Sequence, residues 1–171
     1  MDIFVTLLGL CGFGLILAAT MVPSRRKLLL FDLAGVVPVS IHYALLGAGA
    51  GAVLSGAYAF SDICGLARNA RVRKLGAGAA FVGAVIVIVT LVGLSWVSCV
   101  ALLGTAVAVG ARVLPRRDQV LLVLMVSTVL WGLYGVLTSS FPQILFSVLY
   151  VVFTAVNWRR ARRPVNKKRV T

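Results

Sequence analysis

Seven side chains in this sequence combine a polar group with strongly apolar surroundings: Asp32, His42, Tyr58, Asp62, Trp131, Tyr134 and Tyr150. Polar groups inside long hydrophobic runs are costly and are candidates for function. A tyrosine offers a ring for stacking and a hydroxyl for hydrogen bonding. Tyr58 and Tyr150 could therefore hold a small polar solute between them, or simply pack between helices and bond a backbone carbonyl. His42 suits a proton relay or a hydrogen bond to solute; a lone His with no acid four residues away also suits a neutral ring satisfied by backbone. Tyr134 and Trp131 could line or gate the same space.

Asp32 and Asp62 are the acids within the apolar runs. Asp32 lies five residues from Lys27 and Asp62 six from Arg68, so each is roughly 7–9 Å deep at 1.5 Å per residue. Either they couple proton or ion movement, or an Arg or Lys from a neighbouring helix neutralises them as a structural ion pair. No Ser-His-Asp set, phosphate-binding glycine motif or metal-ligand spacing is present, and Cys11, Cys64 and Cys99 stand apart in apolar runs. Neither an enzyme nor a cofactor or metal site is expected.

The elements that must position these residues follow from hydropathy. The chain has 171 residues, 61% of them hydrophobic, and a mean hydropathy of +1.05. That composition indicates a polytopic all-α membrane protein. Seven spans are predicted, near residues 3–22, 27–46, 50–67, 76–94, 96–114, 119–137 and 141–158. Pro38 and His42 share a face of the second span, where Pro38 should kink the helix. The N-terminus carries Asp2 and no basic residue, so the first span is expected to be retained rather than cleaved.

The net charge of +13 could suggest nucleic acid, but position argues against it. All 17 basic residues fall at residues 25–27, 68–74, 112–117 and 159–169, so every second inter-span segment is basic. This is the positive-inside pattern and predicts an outside N-terminus and a cytoplasmic C-terminus. The basic tail would meet anionic lipid head groups. Small-residue rows such as Gly47, Gly51 and Ser55 favour close helix packing and would also support a homo-oligomer.

Residues 5–71 align with residues 97–163 at a constant offset of 92, with fourteen identities that include Gly12/Gly104, Pro23/Pro115, Ser55/Ser147 and Tyr58/Tyr150. Two three-span repeats separated by one extra span keep the same orientation, so they are parallel. The division is residues 1–74 and 96–160 for the two three-helix repeats, 75–95 for the linker transmembrane helix and 161–171 for the cytoplasmic tail. Repeat-related residues at mid-depth are where transporters of this kind place their site. The function expected is a small-solute transporter or facilitator. The alternatives are a non-transporting scaffold or regulatory subunit and, third, a proton or ion channel.

The segment His42-Tyr43-Ala44-Leu45-Leu46-Gly47, the basic end of the third span, and Asn157-Trp158-Arg159-Arg160 resemble the YgjV-like family of bacterial inner-membrane proteins. That family is similar to the SWEET and PQ-loop transporters, in which two three-helix bundles are joined by a linker helix. The resemblance implies a multi-pass protein of the bacterial cytoplasmic membrane. Two features depart from it. The family places Asn near the middle of the third helix of each repeat, where Tyr58 and Tyr150 stand here. The proline-glutamine pair occurs once, at Pro142-Gln143, and Ala50-Gly51 stands at the equivalent place in the first repeat.

Overall fold

The computed structural model describes residues 3–162, apart from the side chains of Arg117 and of residues 157–162. The basic tail beyond Arg162 lies outside the described residues. Seven α-helices follow one another: α1 (Ile3–Ala19), α2 (Arg25–Leu45), α3 (Gly49–Gly65), α4 (Ala70–Val87), α5 (Trp96–Val113), α6 (Arg117–Leu137) and α7 (Phe141–Arg162). A π-helical turn, Ile88–Val92, continues α4. Among the described residues, four stretches are long and apolar enough to cross a membrane: α2, α4 with its π turn, α5, and residues 118–137 of α6.

Local chemistry sets the helix starts. Ser24, Asn69 and Ser95 each accept a hydrogen bond from an early backbone N–H of α2, α4 and α5, at 3.2, 2.8 and 3.1 Å. Pro23 and Pro115 lie just outside α2 and α6, where a missing N–H costs little. The sequence placed Arg68–Lys74 in a loop, but α4 begins at Ala70 and takes five of those residues into its first turns. The Asn69 cap explains the earlier start.

The turns at the uncharged end share one geometry. After α2, Ala48 N–H bonds Tyr43 carbonyl at 2.9 Å and Gly47 N–H bonds Ala44 carbonyl at 3.1 Å. After α6, Ser140 N–H bonds Gly135 carbonyl at 2.9 Å and Ser139 N–H bonds Val136 carbonyl at 3.2 Å. Both are Schellman motifs. Each needs a left-handed residue, supplied by Gly47 (φ 70°) and by Ser139 (φ 54°).

Packing follows chain order within α1–α2–α3 and within α5–α6–α7, and α1 meets α7 while α3 meets α5. α4 packs on α3 and α5; along α4 and its π turn Ala77, Ala80, Ala84 and Ile88 are buried, and Val82, Ile86 and Val89 are exposed. Gly12 and Gly35 bring α1 and α2 into backbone contact: a Cβ on Gly12 would lie 2.7 Å from the Gly35 carbonyl oxygen. At the equivalent crossing of α5 and α6, Ser127 replaces the second glycine and its hydroxyl donates to the Gly104 carbonyl at 2.8 Å.

Candidate functional site: a central cavity

The six helices other than α4 leave a cavity of about 70 Å³ between them, and each of the six contributes lining residues. Its apolar wall is largely aromatic: Phe13, Tyr43, Tyr58, Trp131, Phe146 and Tyr150. Its polar lining comes from Asp32, Ser55, Arg112, Ser127, Thr128 and Gln143.

On the side toward the basic end, Arg112 of α5 forms an ion pair with Asp32 of α2, and its Nε donates to Asp62 Oδ1 of α3 at 2.8 Å. Its Nη1 donates to the Ala108 carbonyl at 3.1 Å, and its guanidinium lies 4.6 Å from the Tyr58 ring centroid. All three charged residues are buried. A charge this deep is tolerable only when paired and hydrogen-bonded. The cluster therefore ties α2, α3 and α5 together.

Arg25 seals the same end. It donates to the carbonyls of Gly65 at 2.9 Å, Arg112 at 2.7 Å and Leu114 at 3.3 Å. These carbonyls belong to the C-terminal ends of α3 and α5, which have no helical partner and attract cations.

At mid-cavity, Trp131 Nε1 donates to the Tyr58 hydroxyl at 2.7 Å. That hydroxyl lies 3.1 Å from Ser127 Oγ, and Ser127 donates to the Gly104 carbonyl. Donors and acceptors run in one direction along this chain, from α6 to α3, back to α6 and on to α5.

Toward the uncharged end, Tyr43 donates to Gln143 Oε1 at 2.8 Å, and Gln143 Nε2 donates to Ser147 Oγ at 2.9 Å. Glycines make room for this pair. A Cβ on Gly51 would lie 2.8 Å from the Tyr43 ring, and one on Gly135 would lie 2.6 Å from Gln143 Cγ. Positions 43 and 135, and positions 51 and 143, are 92 apart. The bulky residue therefore stands on α2 in one half and on α7 in the other, and the two meet across the cavity. His42 is also buried: Nδ1 donates to the Val5 carbonyl at 2.8 Å, and Nε2 lies 3.1 Å from Ser140 Oγ. Tyr134 accepts from Gly51 N–H at 2.9 Å, satisfying an otherwise orphaned donor in the first turn of α3.

A model of a family of bacterial inner membrane proteins, Imp-YgjV, matches residues 3–164. The chain belongs to the YgjV family. No curated protein and no solved structure matches it.

In this YgjV-family chain, four of the seven residues singled out in the sequence line the cavity: Asp32, Tyr58, Trp131 and Tyr150. Asp62 is not in the lining, and Arg112, which is, holds it through Nε. His42 and Tyr134 lie beyond the cavity toward the uncharged end, where they bond the starts of α7 and α3. Sequence reasoning missed Arg112, Tyr43, Gln143 and Ser127. Arg112 counts with the basic loop on charge alone, yet it lies inside α5. The available signal was the demand of two intramembrane carboxylates for a cation. For Tyr43 and Gln143 the signal was the offset itself, which pairs each with a glycine.

Proposed function

We propose that this chain is a small-solute transporter or facilitator in which two parallel three-helix repeats, α1–α3 and α5–α7, rock about the central cavity, with α4 as linker. The observation that carries the reading is the cavity's position: every helix of both triplets lines it and α4 does not. Repeat-related geometry adds support. The offset of 92 exchanges the α1/α7 contact with the α3/α5 contact, and Gly47 with Ser139. It also exchanges His42 with Tyr134, each of which reaches the start of the opposite half's third helix.

Both ends of the cavity are tied between halves. At the uncharged end the ties are Tyr43–Gln143, His42–Ser140 and Tyr134–Gly51. At the basic end they are Arg112 with Asp32 and Asp62, and Arg25 with the end of α5. Alternating access would release one set while the other holds. Tyr58, Tyr150 and Trp131 would contact solute, His42 and Tyr134 would act in the outer gate, and Asp32 and Asp62 would couple transport to a proton or cation. The N-terminus would be outside and the basic end cytoplasmic. The chain would work without catalysis or cofactor, with anionic lipid at its tail and a homo-oligomer compatible with its small-residue faces.

The test is solute counterflow in proteoliposomes of purified protein, with sugars, amino acids, nucleosides, amines and vitamins, with and without a pH gradient. Uptake of one class, lost in Tyr58→Ala or Tyr150→Ala, supports the reading. A flat panel with folded protein would favour a scaffold or regulatory subunit.

A further inference from the structure

The solute class can be narrowed, resting on the reading of the cavity as a solute site. Two carboxylates share the one guanidinium of Arg112, and the next cation, Arg25, bonds the Arg112 carbonyl without lining the cavity. Each guanidinium nitrogen of Arg112 is already engaged, by Asp32, Asp62 and the Ala108 carbonyl, and the group lies against the Tyr58 ring. Asp62 Oδ2 is buried and meets no donor among the described residues. Of the two acids, Asp32 is the one that lines the cavity, and no Lys, His or second Arg lines it among the described residues.

The remaining walls suit a cation as well. Phe13, Tyr43, Trp131, Phe146 and Tyr150 line the same space as Asp32, and aromatic faces attract cations. A sugar would need many donors and acceptors, and most of the polar groups present are already engaged. Ser127 bonds Gly104, Thr128 bonds the Leu124 carbonyl at 2.7 Å, and Gln143 bonds Tyr43 and Ser147. A volume of about 70 Å³, at about 10–15 Å³ per water-sized group, admits roughly five to seven heavy atoms.

We propose that the cavity binds a small organic cation, a protonated or quaternary amine, with its charged head beside Asp32 and its alkyl groups against the aromatic walls. The test compares choline with its uncharged isostere, in which carbon replaces the quaternary nitrogen. Binding to the full-length protein in nanodiscs is followed by calorimetry. Choline is expected to bind at least about tenfold more tightly than the isostere, the ratio of one desolvated cation–π contact. Asp32→Asn is expected to lower the ratio severalfold, leaving the part that the aromatic walls supply. Trp131→Leu, which leaves the ion cluster intact, is expected to weaken choline binding more than isostere binding.

Equal binding of the two ligands to the wild-type protein overturns the proposal without recourse to any variant. So does an undiminished preference in folded Asp32→Asn, or no binding of either ligand. If choline fails while a sugar, amino acid or nucleoside shows counterflow that depends on Tyr58, the cation inference falls and the transport reading stands. If no solute class binds or moves, both fall.

Discussion

Arg112 of α5 donates through Nε to Asp62 Oδ1 of α3 at 2.8 Å while holding Asp32 of α2 through Nη2. One cation thus serves two buried acids on two other helices. Removing it would leave both carboxylates without a partner. Arg112→Gln is expected to destabilise the protein by about 3–5 kcal/mol, read by thermal unfolding in detergent. Replacing all three together, as Asp32→Asn, Asp62→Asn and Arg112→Gln, is expected to recover much of that loss, since no charge is then stranded. Arg112→Lys should remain destabilised, because one ammonium cannot reproduce the planar fork that reaches both acids.

The crossing of α1 and α2 predicts a contrast between two glycines on one helix. A Cβ on Gly12 would meet the Gly35 carbonyl oxygen at 2.7 Å, a backbone atom that cannot swing away. A Cβ on Gly14 would meet nothing within 4 Å. Gly12→Ala is expected to lower stability by about 1–3 kcal/mol, as over-packing does. Gly14→Ala is expected to be neutral or to add about 0.5–1 kcal/mol through helix propensity. Unfolding midpoints of the two variants check this directly.

Ser139 adopts φ 54° in the α6–α7 turn, where the equivalent turn after α2 uses Gly47. A left-handed backbone costs a non-glycine residue roughly 1–2 kcal/mol. Ser139→Gly is expected to raise the unfolding midpoint by a corresponding fraction, and Gly47→Ser to lower it. Equal midpoints for Ser139→Gly and wild type would count against this account of the turn.

Much of the helical architecture was legible because apolar runs and basic or glycine-rich breaks alternate along the chain. The beginning of α4 was not, because Arg71, Arg73 and Lys74 read as loop by charge although Asn69 caps a helix through them. Tyr58, Tyr150, Trp131 and Asp32 were legible as candidates from polarity within an apolar span, and they do line one cavity. Their partners were not. Side-chain pairing depends on which faces of distant helices meet, and spacing within one helix carries no record of that. Trp131 read as a residue that could line or gate the space; it lines the cavity, and its Nε1 donates to the Tyr58 hydroxyl, a pairing the sequence did not show. Tyr43 read as part of a short motif, although the glycine at 135, its offset partner, carries the information that bulk has moved to the other repeat.

The most direct test of the account asks whether the cavity opens to water from both sides. Ser55 lines it and lies within α3. In a background with Cys11, Cys64 and Cys99 replaced, Ser55→Cys would be exposed to a charged, membrane-impermeant methanethiosulfonate applied from one side of oriented vesicles and then from the other. Alternating access predicts reaction from each side. No reaction from either side, with the variant shown to be folded, would mean a permanently dry core and would contradict the transport account.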